Sequence, residues 1–569
     1  MSRLTRRDVL RGAAVAGAVA LVDPGSALAR TAAQDAVFGR DVGTIRAGES
    51  ASIPAPRPFS LVGVSWSAPR TAGIELRTRL SGGGWGPWAT ASVLGHVPDG
   101  AAPAERSFGE PIWVGPAREV QLRSSERVAG VRLHFVASAA GGGAIASGAG
   151  NVAAPAGNGA VAGVAQGLPL AQPVLDAGPG QPPVIARGGW AHGHAPPRHS
   201  PEYGTVKLAF VHHSETPNGY GRGQVGSILF SIFAYHRYVR DYFDIAYNFA
   251  VDAFGRIWEA RAGGIDLPVI GAHAGGYNAE STGVVVLGSF MSAPAPPAAL
   301  TALEALLAWK LSLHGVPALG RVPVEVSPDG AAYTPFAPGA HVSLPRIAGH
   351  RDGDQTSCPG NALYAQLPGV RGRVAQQAGT PGRLRIVPPP AVPVSAGATL
   401  TLGGGLAELA TGAPIAGATI ELQQIGGVGG ESTIATAVTD ASGSWSAVLT
   451  PGQNLLLRAL SRAAPAAVSN VVAVSVAPEI SMTLVSTSPL TVSGTVAPAG
   501  VGPVTIDVYR VRGAGPGRRL VASKSVGVPG GAFHARVRHP GPGRYVLVAR
   551  TAASARYAAG ASAPLPVTL

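Results

Sequence analysis

The 569-residue sequence predicts a multidomain protein with a central α/β domain, in which a mixed β-sheet is covered by helices. An all-β domain is expected before it and two β-sandwiches after it. Three observations support this prediction. Apolar residues alternate at period two in the first and last parts of the chain, strand and helix spacings mix in the middle, and the C-terminal part nearly repeats itself.

Residues 1–29 are predicted to be a twin-arginine signal peptide. Arg6 and Arg7 precede the apolar stretch 13–22, and the small residues Ala27-Leu28-Ala29 fit a cleavage site. That stretch is shorter than the about 20 residues that span a bilayer. No later apolar run approaches that length, so we expect no membrane span in the mature protein. The alternative is an uncleaved N-terminal anchor. With the signal removed, we expect a secreted or cell-wall protein.

Residues 36–138 are predicted to form the N-terminal all-β domain. Ile74, Leu76, Thr78 and Leu80 alternate with charged or polar neighbours, and turns rich in glycine and proline separate such runs. Its tryptophans either fill a sandwich core or form a carbohydrate platform; they are Trp66, Trp85, Trp88 and Trp113. The small, uncharged residues of 139–180 predict a linker.

The central domain is assigned to residues 181–380. Alternation in KLAFVHH and the apolar run GVVVLG (283–288) predict two of its strands, the second fully buried. Apolar residues at helical spacing over 225–239 and 300–314 predict two helices, the second ending at Gly315. In such a fold the site is expected at strand ends and loops.

Two immunoglobulin-like β-sandwiches are predicted for residues 385–478 and 479–569. The run GAPIAGATIELQQ (412–424) is similar to GVGPVTIDVYRV (500–511), and the segment 442–460 is similar to 530–550. Each copy carries short alternating strands, as such sandwiches do.

The charge and the cysteine content limit the possible partners and the possible roles of the thiol. The net charge is +13, but no dense basic run with interleaved aromatic residues occurs, so no nucleic-acid partner is expected. Cys358 is the only cysteine, so an internal disulfide is impossible. In an exported protein, metal coordination is the simplest reason for such a thiol.

The runs VHHSETPNGY (211–220) and AGHRDGDQTSCPG (348–360) hold the candidate site. Two imidazoles and one thiolate suffice for a zinc ion whose fourth position stays open. Adjacent strand residues point to opposite faces, so only one of His212 and His213 faces a metal. Asp352 and Asp354 are either outer partners of a ligand imidazole or turn residues.

From about Pro182 to Pro368 the chain resembles the type 2 N-acetylmuramoyl-L-alanine amidases of the peptidoglycan recognition protein family. Besides the two runs above, the matching segments are IARGGWAHG (185–193), DIAYNFAVDAFGRIWEAR (244–261) and GAHAGGYNAESTGVVVLGSF (271–290). This resemblance implies Zn²⁺ as cofactor, with three protein ligands: His212, His350 and Cys358.

The resemblance also implies roles for five other residues. Tyr247 and Thr356 are the implied catalytic residues, and the implied substrate-binding residues are His213, His273 and Asn278. For His273 the alternative is a core or loop histidine held by hydrogen bonds. The implied reaction is hydrolysis of the amide bond between the lactyl group of N-acetylmuramic acid and L-alanine in peptidoglycan stem peptides. The alternative is a non-catalytic protein that binds peptidoglycan muropeptides in the same groove. Cell-wall polymers are candidate partners of the flanking β domains.

One departure from the family leaves the proton-transfer group unassigned. Some relatives carry a lysine at the position of Thr356, and others a glutamate in the central strand, where this chain has only valines (284–286). Glu215 and Glu259 are nearby carboxylates that could transfer the proton. A structural role is the alternative for each.

Overall fold

The computed structural model describes residues 36–69, 72–93, 106–137, 174–175, 180–328, 330–427, 430–463, 465–511 and 518–569. The predicted signal peptide and most of the predicted linker lie outside these residues. Within the linker range, Val174–Leu175 forms an edge strand of the central sheet. Among the described helices, none has the length and apolar character needed to cross a membrane.

The N-terminal domain is one antiparallel eight-stranded sheet, which confirms its all-β class. Inward-facing apolar residues such as Phe59, Leu122 and Phe135 are fully buried and form its core. The strands are Val37–Ile45, Gly48–Glu49, Ile53–Trp66, Ile74–Leu80, Ala89–Thr90, Ser107–Phe108, Ile112–Ser124 and Val128–Ala137.

The four tryptophans of this domain do not share one surface. Trp66 and Trp113 are buried, at 0% and 6% exposure. Trp88 is half-buried, with the guanidinium carbons of Arg77 and Arg123 at 4.5 and 4.4 Å from its ring centroid. Because two guanidinium groups contact its ring, and only Trp85 is exposed, the four side chains make no common carbohydrate platform.

The central domain contains a seven-stranded mixed sheet, as predicted. Ser281–Val286 is fully buried and pairs in parallel with Leu208–His213 on one side and with Phe249–Val251 on the other. In spatial order the strands are Ile347–Gly349, Leu208–His213, Ser281–Val286, Phe249–Val251, Ile257–Glu259, Val184–Ile185 and Val174–Leu175. A separate hairpin pairs Arg321–Glu325 with His341–Pro345.

Helices cover both faces of this sheet. The two predicted helices are confirmed as Val225–Tyr238 and Pro297–Leu313. A third long helix, Asn361–Gln377, was not predicted, because it contains Pro368 and buries only four residues. The remaining α-helix among the described residues is the single turn Gly188–Ala191.

Each C-terminal domain has a three-stranded and a five-stranded antiparallel sheet, and in the first domain Val394–Ser395 also pairs in parallel with Val476–Ala477. The repeat seen in the sequence is therefore structural, since Thr419–Gly427 and Val504–Val511 occupy matching positions in the two larger sheets. The immunoglobulin-like assignment stays a prediction. The first domain has strands Gly382–Ile386, Val394–Ser395, Leu400–Glu408, Thr419–Gly427, Gly430–Val438, Ser444–Leu449, Leu455–Ser461, Ala467–Val468, Val472–Val474 and Val476–Ala477. The second has Glu479–Thr487, Leu490–Ala497, Val504–Val511, Arg518–Val526, Ala532–Arg536, Arg544–Thr551, Gly560–Ala561 and Leu565–Thr568.

The N-terminal sheet and the helix Val225–Tyr238 share one hydrophobic core. Leu61 and Trp113 of the sheet belong to the same buried cluster as Ile232 and Tyr235 of the helix. At Gly63 a Cβ atom would overlap the ring of Tyr235, so the absence of a side chain allows this close approach. The two domains are therefore packed as tightly as layers of one fold.

Candidate metal centre

Three potential ligands converge where two parallel strands end. His212 lies near the end of Leu208–His213, and His350 follows Ile347–Gly349 directly. Because these strands pair in parallel, their carboxyl ends lie at the same edge of the sheet. One ligand atom each from His212, His350 and Cys358 lies within 4.8 Å of the others. All three residues are buried.

The loop that carries Cys358 is held in place by Arg351. The Arg351 backbone N–H donates to the Cys358 carbonyl at 3.0 Å, and its guanidinium donates to the Ser357 carbonyl and to Asn361. The Thr356 hydroxyl accepts the Cys358 backbone N–H at 3.2 Å. These bonds place Cys358 Sγ 3.7 Å from Nδ1 of His212. Thr356 thus lies in the turn beside the thiol.

The two aspartates of this loop have different roles. Asp354 is fully buried, and its Oδ2 lies 3.0 Å from Nε2 of His350 and accepts the Gly275 N–H at 2.8 Å. Asp352 instead accepts the Gly349 N–H and the Tyr364 hydroxyl. Asp354 therefore lies behind the His350 imidazole, which is the position of an outer partner if His350 binds a metal through Nδ1. Asp352 is a turn residue.

His213 lies on the opposite face of its strand from the ligand cluster. Its Nδ1 accepts the Phe290 N–H at 3.3 Å, and its Nε2 lies 3.1 Å from Glu215. The side chain is fully buried. The alternation of a strand thus separates the two adjacent histidines as expected. With protein partners near both ring nitrogens, His213 has a structural position, and its substrate-binding role stays a prediction.

His273 and Tyr247 flank His212. Nδ1 of His273 lies 3.2 Å from Nε2 of His212, and Gly271 and Gly283 leave the space that the His273 ring fills. The Tyr247 ring centroid lies 5.1 Å from that of His212. Burial raises the pKa of Tyr247 well above its ordinary value. Its hydroxyl therefore stays protonated and can donate a hydrogen bond.

Asn278 lies behind His273 rather than beside the ligands. Its Oδ1 accepts the backbone N–H groups of His273 and Ala274 at 2.8 and 3.0 Å. The half-buried Asn278 therefore fixes the turn that carries His273. A direct contact with substrate, as the family resemblance implies, stays a prediction.

The two carboxylates considered from sequence are both engaged in the structure. Glu259 Oε2 accepts the Arg187 N–H at 2.9 Å. Glu215 accepts hydrogen bonds from Ser289 at 2.7 Å and from Ser92 at 3.0 Å. Ser92 belongs to the N-terminal domain, so that domain reaches the centre.

This contribution of the N-terminal domain was not predicted from the sequence. Glu110 of the same domain is 2% exposed. Burial is the main reason that the pKa values of the Cys358 thiol and the Tyr247 hydroxyl are raised, and the charge of Glu110 raises both further. The available signal was a single charged residue inside the apolar run SFGEPIWV (107–114).

The donor set fits zinc. Two imidazoles and one thiol form a close-packed group of three, with a carboxylate behind one imidazole, and three such protein ligands are the number typical of a catalytic zinc. Burial raises the pKa of the Cys358 thiol well above its ordinary value. A bound divalent cation is the partner that would favour the thiolate.

Two family models match parts of this chain. A family model described as N-acetylmuramoyl-L-alanine amidase matches residues 202–361. A second, described as Rv3811 N-terminal galactose-binding domain-like, matches residues 23–154.

Among curated proteins, peptidoglycan-recognition protein SA of Drosophila melanogaster is 35% identical over 103 residues, which cover 18% of this chain and 49% of that protein. The match therefore spans about half the length of that relative. Another peptidoglycan-recognition protein, from Drosophila simulans, is 27% identical over 184 residues, which cover 32% of this chain and 85% of that protein. Among solved structures, Drosophila PGRP-LB is 26% identical with a TM-score of 0.26, and the match covers 32% of this chain and 91% of that chain.

Proposed function

Because residues 202–361 form a domain of the N-acetylmuramoyl-L-alanine amidase family, related to the peptidoglycan-recognition proteins, we propose that this protein is a zinc-dependent peptidoglycan amidase. The bond cleaved is the amide between the lactyl group of N-acetylmuramic acid and L-alanine of the stem peptide. The observation that carries the proposal is the convergence of His212, His350 and Cys358 within 4.8 Å. When bound, zinc polarises a carbonyl and makes water a nucleophile near neutral pH.

The side chains around the ligands support this chemistry. Asp354 orients the His350 imidazole, and His273 contacts the nitrogen of His212 that faces away from Cys358. The protonated Tyr247 hydroxyl suits hydrogen bonding to the oxyanion that develops on the scissile carbonyl. Thr356, in the turn before Cys358, suits orientation of water.

The proposed location of the protein follows from its proposed substrate. Peptidoglycan lies outside the cytoplasmic membrane, and Arg6-Arg7 with Ala27-Leu28-Ala29 supports export by the twin-arginine route. We propose that the mature protein is secreted or wall-associated. We also propose that the flanking β domains contact cell-wall polymers.

The test is digestion of purified peptidoglycan with the mature chain, followed by mass spectrometry of the fragments. The proposal expects glycan strands with intact lactyl groups, together with stem peptides that carry a free L-alanine amino group. Cys358→Ala is the control, since it removes a ligand and should abolish turnover while the fold is kept. Sugar–sugar cleavage alone would contradict the assignment. Peptidoglycan binding with no cleavage by the zinc-loaded protein would favour the non-catalytic alternative.

A further inference from the structure

A closed ring of contacts leads from the Cys358 thiol back to the Cys358 backbone. The His213 backbone N–H donates to Cys358 Sγ at 3.4 Å, and Nε2 of the His213 ring lies 3.1 Å from Oε1 of Glu215. The Ser92 hydroxyl donates to the same oxygen at 3.0 Å and accepts a hydrogen bond from the Ser357 hydroxyl at 3.1 Å. Ser357 directly precedes Cys358, so the chain itself closes this contact ring.

Ser92 is the one member of the contact ring that lies outside the amidase family match, residues 202–361. Its backbone is fixed within the N-terminal sheet. The Glu110 N–H donates to the Ser92 carbonyl at 2.7 Å, and the adjacent Ala91 N–H donates to the Ile74 carbonyl at 2.8 Å. Ala91 and Ile74 belong to the buried core of that domain. The N-terminal domain therefore sets the position of the Ser92 hydroxyl.

The interface around Ser92 is closely packed. The N-terminal sheet shares a hydrophobic core with the helix Val225–Tyr238, and the central guanidinium carbon of Arg240 lies 3.8 Å from the ring centroid of Phe108. Ser92 itself is 7% exposed. Because the shared core already holds the two domains together, the hydrogen bonds of Ser92 are not needed for that purpose. Their effect is local, on the two side chains that they join.

Glu215 carries the position of Ser92 to the other side of the contact ring. Its backbone φ is 52°, in the left-handed region that residues other than glycine rarely adopt. Such a conformation persists where the surroundings fix the residue. Here Oε2 accepts the Ser289 hydroxyl at 2.7 Å, while Oε1 accepts that of Ser92, and the residue is 4% exposed. The fixed carboxylate in turn lies against His213, next to the ligand His212.

We propose that Ser92, supplied by the N-terminal domain, is a positioning residue of the amidase metal centre. It holds the Cys358 loop through Ser357 and the strand end through Glu215, so one hydroxyl fixes the spacing of two protein ligands. Only its effect on turnover rests on the proposed function, since its effect on metal binding does not require cleavage. The metal centre is thus completed by a residue of another domain.

The experiment compares five forms of the full mature chain: wild type, Ser92→Ala, Ser357→Ala, the double variant of these, and Ser60→Ala. Ser60 is a matched control, because it lies in the same domain at the same interface and is 6% exposed. Its hydroxyl oxygen lies 3.4 Å from that of Ser231, which belongs to the helix Val225–Tyr238 and not to the ligand loop.

Four quantities are measured for each form. Competition with a chromogenic chelator gives the zinc affinity, and the thiolate-to-metal absorption band of the Co²⁺-loaded protein reports the geometry at Cys358. The other two are kcat and KM on a soluble muropeptide, and the thermal unfolding temperature of the zinc-free protein.

For Ser92→Ala, zinc affinity should fall about 10-fold and kcat about 10-fold or more, because the ligand loop is less well fixed. The Co²⁺ band should change, whereas KM should stay within about twofold of wild type. Ser357→Ala should have a similar effect, since it breaks the same hydrogen bond from the other side. The double variant should be little worse than either single variant, because the two serines act as one unit. Ser60→Ala should match wild type.

Four results would overturn the inference. Zinc affinity and a Co²⁺ band that are unchanged in Ser92→Ala would show that Ser92 does not position the ligands. Equal losses in Ser60→Ala would assign the effect to interface packing in general. Losses that multiply in the double variant would show that the two serines act separately. A lower unfolding temperature in Ser92→Ala but not in Ser357→Ala would make the role of Ser92 structural.

Failure of the proposed function gives a different result. A wild-type protein that binds zinc but cleaves no muropeptide would remove the amidase activity. The positioning role of Ser92 would then be decided by the zinc affinity and the Co²⁺ band alone.

Discussion

Oδ2 of Asp354 lies 3.0 Å from Nε2 of His350, and both side chains are fully buried. The Gly275 N–H donates to the same oxygen, so the carboxylate is itself fixed. Such a pair sets both the orientation of an imidazole and which of its nitrogens binds a metal. The neighbouring Asp352 does neither, since it serves the backbone turn and Tyr364.

Replacing Asp354 should therefore weaken zinc binding. We expect Asp354→Asn to lower zinc affinity about 10- to 100-fold, because the charge behind His350 is lost while the shape is kept. Competition with a chromogenic chelator measures this. Asp352→Asn is the matched control in the same loop and should change affinity much less. Equal losses in the two variants would contradict the outer-partner role of Asp354.

The Tyr247 hydroxyl should matter for turnover and not for metal binding. Tyr247→Phe is expected to lower kcat about 10²–10³-fold if the hydroxyl stabilises the oxyanion. Zinc content should be unchanged, because no ligand atom is altered. Thr356→Ala should have a smaller effect, since another water can partly replace a hydroxyl that orients water. A Tyr247→Phe protein with wild-type kcat would exclude this residue from the mechanism.

Buried histidines predict that acid loosens the interface between the first two domains. Burial lowers the pKa of His236 to about 3 and that of His134 to about 4, both below the ordinary value of 6.5. Between pH 6.5 and those values the unfolded chain binds protons that the folded chain does not. The free energy of unfolding should therefore fall as the pH drops from 6.5 toward 4.

Hydrogen exchange of the helix Val225–Tyr238 measures this effect, after correction for the intrinsic pH dependence of exchange. Protection should decrease from about pH 7 to about pH 5. His134→Gln should reduce that decrease, because one of the titrating groups beside this helix is gone. Protection that is constant over this range would show that these histidines do not control the interface.

The twin-arginine prediction can be tested in a bacterial host with that pathway. The double variant Arg6→Lys, Arg7→Lys should leave unprocessed precursor in the cytoplasm, whereas wild type should give a mature form that begins at Arg30. Immunoblotting of cell fractions detects the precursor, and N-terminal sequencing identifies the first residue of the mature form. Normal secretion of the double variant would contradict the twin-arginine route but would not contradict export by another route.

Local patterns predicted two features of the central domain. Strand alternation separated His212 from His213, and helical spacing located the helices Val225–Tyr238 and Pro297–Leu313. The choice between Asp352 and Asp354 was beyond local patterns, because it depends on which side chain turns inward.

Two further features could not be predicted from the sequence, for different reasons. The contacts of Ser92 with Glu215 and Ser357 depend on packing between two domains that a long linker separates in the sequence, and hydrophobic periodicity does not report such packing. The helix Asn361–Gln377 was not predicted because it contains Pro368, and proline argues against a helix interior.

The contact between Gly63 and Tyr235 also bears on how such proteins are assembled from parts during evolution. A side chain at position 63 would collide with the tyrosine ring, so each surface is shaped for the other. Recombination at the family boundary near residue 202 would then join a helix to a foreign sheet that lacks the matching gap. The pair of domains is accordingly the unit that recombination has to keep together. Leu460 and Val468 of the first sandwich lie in the core of the central domain, so that unit extends beyond the strand Gly382–Ile386.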